Sequence, residues 1–395
     1  MTEAELGDEV RTWLAANWDA AKREPRILEG DSRTWRERVF EARWAAPTWP
    51  AEWYGRGVSP DLAAIVDRAF AEVGAIGCSE DRTNLFANTV LKFGRDELKR
   101  AALPKLLSND VITCLLYSEP GAGSDLASVR TRADRTENGW RINGQKVWTS
   151  GARTAEFALL LARTDWDAPK HKGLSFFWME MRQPGVDVRP LHQITGDSHF
   201  SEVFLDDAFV EEGHLLGPEN DGWKVLQTAL AYERLLMGEG GGERRQGSAE
   251  ENRLDLIELA RDRGRLQDPA LRQQLARVLA YRQLNALNLE RAKAEMAEGG
   301  SSPVMSLGKL AMSRILHEEA RLMTAILGAE SLLDGPQNPL GEDANYRAFN
   351  AYMTSIGGGT DQIQRNIISE RILGLPREIE LDRDVPFRDL RAVRG

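Results

Sequence analysis

Three short stretches of this chain hold the residue types that can do chemistry. The first, "SIGGGTDQIQRNIISERILGLP" (residues 355–376), begins with three consecutive glycines, Gly357, Gly358 and Gly359. Glycines in series lower stability unless something needs a bare backbone. The run therefore raises the question of what approaches that backbone, and whether a reactive side chain is missing from it. A helix follows: Thr360 is placed to cap it, Asp361 sits where the helix dipole favours an acid, and Ile363, Ile367 and Ile368 share a face. Gly374 and Pro376 are its stop signals.

The second stretch is "LLYSEPGAGSDLASV" (residues 115–129). A strand leaves through Pro120 into a glycine-rich turn, where Gly121 and Gly123 let backbone N–H groups come close to a ligand and Ser118, Ser124 and Asp125 add polar side chains. Such a turn is either a cofactor or phosphate cradle built from main-chain donors, or a tight loop between two elements. It lacks the Gly-Lys-Ser/Thr of a Walker A loop, and the third glycine and βαβ context of a dinucleotide fingerprint. In the third stretch, "NGQKVWTSGA" (residues 143–152), Trp148, Thr149 and Ser150 at a strand end can present a ring and two hydroxyls to a planar ligand. Taken alone, a tryptophan such as Trp148 is more often core.

Three blocks of pattern must position these stretches. The period is helical to about residue 109, with Leu6, Val10, Trp13 and Leu14 on one face and "PDLAAIVDRAFAEVGAIG" and "RDELKRAALPKLL" further on. Between about 111 and 210 it changes to short strands rich in β-branched and aromatic residues: "VITCLLYSE", "WRINGQKVWTS", "EFALLLAR", "GLSFFWMEM", "VDVRPL" and "HFSEVFLDDAFV". The Asn-Gly pairs at Asn138 and Asn143 are turn signals there. After "GPENDGW" the helical period returns and is expected to last to the end.

Composition narrows the function classes. With 395 residues, 42% hydrophobic and 28% charged, the chain can bury large cores in two or three domains. A formal charge of -10 with no Lys/Arg cluster argues against nucleic acid. Cys78 and Cys114 lack metal-ligand spacing, and the five histidines are scattered, so no metal is expected. Neither a signal peptide nor an apolar run of about 18 residues is seen, so the expectation is a cytoplasmic protein that does not enter a membrane.

Taken together, "YSEPGAGSD", "INGQKVWTSGA", "GPENDGW" and "GGGTDQIQRNIISERILG" resemble the acyl-CoA dehydrogenase family in order and spacing, over essentially the whole chain. The resemblance implies an α+β fold: an N-terminal α-helical domain (1–110), a middle β-barrel domain (111–217) and a C-terminal four-helix bundle (218–395). It also implies FAD between the β domain and the bundle, and conversion of an acyl-CoA to the 2,3-enoyl-CoA. The α-proton of a thioester is only weakly acidic, so a positioned base must take it while the enolate oxygen receives hydrogen bonds. By resemblance, the backbone N–H of Gly358 is one such donor and Gly359 allows close approach of the substrate. The family's glutamate base commonly stands at the position of Gly358, where this chain has none. In members similar to isovaleryl-CoA dehydrogenase it lies instead on the first bundle helix, directly before an arginine. Glu233, followed by Arg234 in "LAYERLLMG", is the matching residue, the alternative being a solvated helix acid.

Other assignments carry over by position. Leu115, Tyr117, Ser118, Gly123 and Ser124 match the segment along the flavin ring and ribityl chain, Ser124 also matching a contact to the thioester portion of CoA. Trp148, Thr149 and Ser150 match the strand packed on the flavin. Thr360 and Gln362 match contacts to the adenosine half of FAD, and Arg234 a substrate-side residue. Two departures stand out. The family's Arg-x-x-Phe-Gly, whose arginine holds the flavin pyrophosphate of a partner subunit, is replaced by "LARDRGRLQDPALRQQLAR", so either Arg265 or Arg272 substitutes or the contact is lost, and its Gln-x-x-Gly-Gly-x-Gly appears as "AILGAESLL". The pattern is similar to an actinobacterial group in which some members act on steroid side-chain CoA esters and several pair unlike subunits. Expected partners are an acyl-CoA, an electron-transferring flavoprotein, and further subunits in a homo- or hetero-oligomer, dimer or tetramer. Two alternatives stay open: a flavin oxidase or monooxygenase of the same fold, and a non-catalytic subunit of a heteromeric enzyme.

Overall fold

In the computed structural model, residues 2–77, 83–238, 255–297, 304–379 and 382–390 are described; Cys78 lies outside them. The chain forms two units. One comprises Met1–Leu191, Ser198–Glu233 and Leu381–Gly395, and the other His192–Asp197 and Arg234–Glu380.

The first unit opens with α1 (Glu3–Asn17), a two-residue ladder of β1 (Trp18–Asp19) and β2 (Glu24–Pro25), then α2 (Trp35–Glu41), α3 (Pro60–Val73), α4 (Thr83–Phe93) and α5 (Asp96–Leu107). Local chemistry sets the ends. Thr2 with Glu5, and Thr34 with Glu37, close capping boxes on α1 and α2, while Ser59 caps α3, Pro60 follows it, and Gly74 ends it in the left-handed conformation. Leu6, Val10 and Leu14 are buried as the period predicts. Trp13 packs in an aromatic group, 5.3 Å from Trp35 and 6.1 Å from Phe70 between centroids.

The middle block is a seven-stranded sheet: β3 (Thr113–Leu116), β4 (Arg132–Arg135), β5 (Gly139–Ser150), β6 (Phe157–Arg163), β7 (Leu174–Glu180), β8 (Val186–Pro190) and β9 (Phe200–Glu211). Its order is β3-β6-β4-β5-β9-β8, with β7 added antiparallel to β6. Trp140, Ile142, Ala158, Leu160, Phe177, Val203 and Ala208 are among the residues of its core. Strand β4 escapes the sequence pattern because three of its four residues are charged. Asn138–Gly139 does make the β4–β5 turn, whereas Asn143–Gly144 lies inside β5 at a register shift. Gly144 is needed there because an added Cβ would stand 2.8 Å from the Cα of Thr131, and the Asn143 carboxamide oxygen accepts the Asp207 N–H at 2.9 Å. The pair thus works as a bulge and a close approach.

Helix α6 (Gly222–Gly238) follows, and the second unit contributes α7 (Leu256–Asp262), α8 (Pro269–Ala297), α9 (Met305–Leu327), α10 (Pro339–Ile356) and α11 (Asp361–Ile367). Leu259, Leu275, Val278, Leu322, Met323 and Ile326 form its core. After α11 the backbone relaxes into a π turn, Ile368–Ile372, before the left-handed Gly374. Helical period does not last to the end: Asp382–Leu390 returns to the first unit as turns, Pro386 pairing with Pro169 and Phe387 donating its N–H to the Ala168 carbonyl at 3.0 Å. The order of N-terminal helices, middle sheet and C-terminal helices is the expected α+β class.

Candidate functional site

In the first unit, Pro120 and Gly121 form the tip of a tight reversal in which Glu119 and Ala122 exchange two backbone hydrogen bonds of 3.0 Å. Buried charge holds this reversal from behind. Lys146, fully buried on β5, donates from Nζ to Glu119 Oε1 (2.9 Å) and to the carbonyls of Tyr117 (3.1 Å) and Leu161 (2.7 Å). Glu119 also accepts the Arg130 and Thr131 amides at 2.6 and 2.8 Å. Burial works against this carboxylate, yet Lys146 and the amides outweigh it and hold its pKa below the usual value. On the other side the loop is open. Gly123 and Ser124 are exposed, their amides donate to no acceptor among the described residues, and a Cβ on Gly121 or Gly123 would meet nothing within 4 Å. Packing among the described residues leaves room for a side chain at both glycines.

Strand β5 ends beside the loop, the Val147 N–H donating to the Ser118 carbonyl at 3.0 Å. A register shift between Lys146 and Thr149 puts Trp148 at φ 63°, a conformation in which a bulky residue is an outlier. The residue is 58% exposed, its ring making an edge-on contact to Phe200 at 5.8 Å. Trp148 is thus not core. Ser150 is also exposed, while the Thr149 hydroxyl is buried without a partner among the described residues. Leu115 is half-buried and Tyr117 buried, with its ring 5.6 Å from Phe176.

In the second unit, Gly357 ends α10, and Gly358 and Gly359 take φ of 63° and 85° before Thr360 caps α11 by accepting the Ile363 N–H at 3.2 Å. Both left-handed glycines are exposed, and their amides have no acceptor among the described residues. Gln364, buried under the turn, donates to the Gly358 carbonyl at 3.3 Å. Gln362 is exposed. The sequence reading missed Gln364, Lys146 and Glu119; for Lys146 the signal was a lysine on the inward side of a strand, which demands a buried acid.

Arg272 is exposed and donates to the Leu266 carbonyl (2.9 Å), and Arg265 to that of Ala325 (3.2 Å). Glu233 and Arg234 belong to the span of α6, but their side chains lie outside the described residues. Cys114 is buried, and burial pushes its thiol up to about 12, which leaves it a packing residue. Among the described residues there is no metal-binding group of His, Cys, Asp or Glu, and no helix long and apolar enough to cross a membrane.

Three family profiles match the chain in order: acyl-CoA dehydrogenase, N-terminal domain, over residues 2–110; middle domain, over 114–208; and C-terminal domain, over 220–373. Acyl-CoA dehydrogenase IpdE1 of Mycolicibacterium smegmatis is 36% identical, the match covering 95% of this chain and 98% of that protein. Acyl-CoA dehydrogenase FadE34 of Mycobacterium tuberculosis is 40% identical over 84% of this chain, which spans only 45% of that longer protein. A solved structure described as the Tcur3481-Tcur3483 steroid ACAD superposes with a TM-score of 0.71 at 28% identity, covering 95% of this chain and 98% of the other.

Proposed function

The chain belongs to the acyl-CoA dehydrogenase family, and on that footing we propose that it converts an acyl-CoA thioester to the 2,3-enoyl-CoA with FAD as acceptor. One observation carries the reading: the turn before α11, where the N–H groups of two exposed left-handed glycines have no acceptor among the described residues. A thioester carbonyl gaining enolate charge needs donors of this kind. Gly358 is the candidate donor, and Gly359 lets the thioester come close. Glu233 is the candidate base for the α-proton, with Arg234 beside it on the substrate side; a positioned carboxylate contributes about 10²- to 10⁴-fold.

The candidate contacts to the flavin ring and ribityl chain are Leu115, Tyr117, Ser118, Gly123, Ser124, Trp148, Thr149 and Ser150; Thr360 and Gln362 are candidates for the adenosine half, and Arg272 for the pyrophosphate, of an FAD held by a neighbouring subunit. When bound, FAD supplies the acceptor for the β-hydride. The residues fit such a group: an exposed indole in a strained conformation suits a planar ring, and the unpartnered Thr149 hydroxyl suits a polar ligand edge. The similarity to the Tcur3481-Tcur3483 steroid ACAD supports bulky polycyclic acyl-CoA esters as first substrates to try. Electron-transferring flavoprotein is the proposed electron acceptor, and a homo- or hetero-oligomer the proposed assembly.

A second reading, a non-catalytic subunit of a heteromeric enzyme, is favoured by one feature: the family's Arg-x-x-Phe-Gly is absent, and its candidate substitutes Arg265 and Arg272 each give one N–H donor to a carbonyl of their own unit. Anaerobic addition of a panel of acyl-CoA esters, with the oxidised flavin absorbance followed, tests both. Stoichiometric flavin bleached by at least one ester is the expected result. No bleaching by any ester defeats the dehydrogenase reading of this chain alone. Glu233→Gln is expected to keep flavin and slow bleaching by about 10²-fold or more; unchanged kinetics would remove Glu233 from the mechanism.

A further inference from the structure

Lys309, Ser313 and His317 recur every four residues on α9 and so share one stripe of that helix. Across from it stand Ser355, two residues before the glycine run, and Asp361, the first residue of α11. Ser313 Oγ lies 2.8 Å from Asp361 Oδ2 and 2.9 Å from Ser355 Oγ; Ser355 Oγ lies 2.7 Å from His317 Nε2; Lys309 Nζ lies 2.9 Å from Asp361 Oδ1. Burial opposes ionisation of Asp361, but the Lys309 and Ser313 hydrogen bonds prevail and hold its pKa below the usual value.

Donor arithmetic gives the group a direction. An ionised carboxylate only accepts, so the single Ser313 proton goes to Asp361. Ser313 can then only accept from Ser355, so the single Ser355 proton goes to Ser313 and is left neither for His317 at 2.7 Å nor for the Ala351 carbonyl at 3.2 Å. Ser355 in turn accepts, so His317 must carry a proton on Nε2. Burial and nearby Arg321 hold the imidazole below its usual pKa, which suits a neutral ring with that proton.

We propose that His317, Ser355, Ser313 and Lys309 are positioning residues for the Gly357–Gly359 turn, acting through a one-way hydrogen-bond chain that ends on Asp361. The chain ties the residues flanking the turn, Ser355 before it and Asp361 after it, to a single helix. That matters because fixing a backbone residue costs conformational entropy, and most for glycine. With its flanks tied, its Gly357 amide bonded to the Met353 carbonyl and its Gly358 carbonyl held by Gln364, the turn keeps its conformation while the Gly358 and Gly359 amides have no acceptor among the described residues. The consequence for catalysis rests on reading Gly358 as the carbonyl donor; the hydrogen-bond chain does not.

The test compares His317→Leu, which removes the donor, with His317→Gln, whose amide can place an N–H where Nε2 stood. Two readouts are used on the purified full chain: amide hydrogen exchange of a peptide covering residues 354–364, and flavin reduction by an acyl-CoA ester as a function of ester concentration. The Leu variant is expected to exchange about tenfold faster in that peptide. It should also reduce flavin about tenfold more slowly at saturation, with half-saturation changed less than about threefold. The Gln variant should stay within about threefold of the native chain in both. A Gln variant as impaired as Leu, or exchange alike in all three proteins, overturns the proposal. If no ester reduces the native flavin while exchange still separates Leu from Gln, the dehydrogenase reading falls and the positioning of the turn stands. Should His317→Leu fail to fold, selective ¹⁵N-histidine spectra of the native chain decide, with the His317 signal assigned through His317→Gln. A proton on Nε2 supports the chain, and a bare Nε2 ends it.

Discussion

Thr149 and Trp148 each break a rule of stable folding, and they are neighbours. The Thr149 side chain is buried with its hydroxyl unpaired among the described residues, a defect worth about 1–3 kcal/mol. Trp148 holds a large exposed ring in the left-handed region, and strained backbone of this kind persists where the surroundings over-determine it. If the hydroxyl is kept for a bound ligand, Thr149→Val should raise the stability of the flavin-free chain by about 1 kcal/mol in urea denaturation. The same change should weaken FAD retention, measured by equilibrium dialysis, by about fivefold or more. A variant less stable than the native chain without flavin would show that the hydroxyl already has a partner. The residue types of this site were legible as a motif, "VWTS", but their defects were not. Exposure of Trp148 follows from a register shift against β9, a non-local fact that alternation within one strand does not carry.

At the scale of elements, the glycine-rich loop owes its shape to a buried ion pair between its own Glu119 and Lys146 of β5. Breaking such a pair from one side leaves an uncompensated charge, so Lys146→Met should destabilise by about 3–5 kcal/mol, and adding Glu119→Gln should recover part of the loss. The pH dependence has a definite sign. The Glu119 carboxyl titrates lower in the folded chain than its ordinary 4.5, so the unfolded chain binds more protons between those two values. Its contribution is therefore complete above 4.5 and lost as pH falls through the folded value. Urea midpoints measured from neutral pH down to about pH 3 should drop accordingly, and Glu119→Gln should flatten that drop. Strand β5 was legible from its β-branched and aromatic residues. The lysine's partner was not, because it lies on another element, and Asn143–Gly144 looked like a turn because a bulge and a turn draw on the same residue types.

On the scale of the whole molecule, the first unit is built from both ends of the chain, and the second lies between them in sequence. The division into helices, strands and helices could be read directly, since the period changes from 3.6 to 2 and back. The return of the last segment could not, because its anchors are single residues far apart in sequence. Phe387 is 3% exposed, and the Arg163 guanidinium lies 3.4 Å above its ring. That same guanidinium donates to the carbonyls of Ala127 (2.7 Å) and Val129 (3.2 Å), on the segment that follows the glycine-rich loop. The terminal aromatic thus covers a buried cation that organises the loop's far end, with Arg388 paired to Asp167 outside it. Removing the ring opens a cavity and wets the cation, so Phe387→Ala should destabilise by about 3–5 kcal/mol, and Phe387→Leu by clearly less. Equilibrium urea denaturation of the full chain measures both. A loss below about 1 kcal/mol for the alanine variant would mean that the returning segment rests on the first unit without being part of its core.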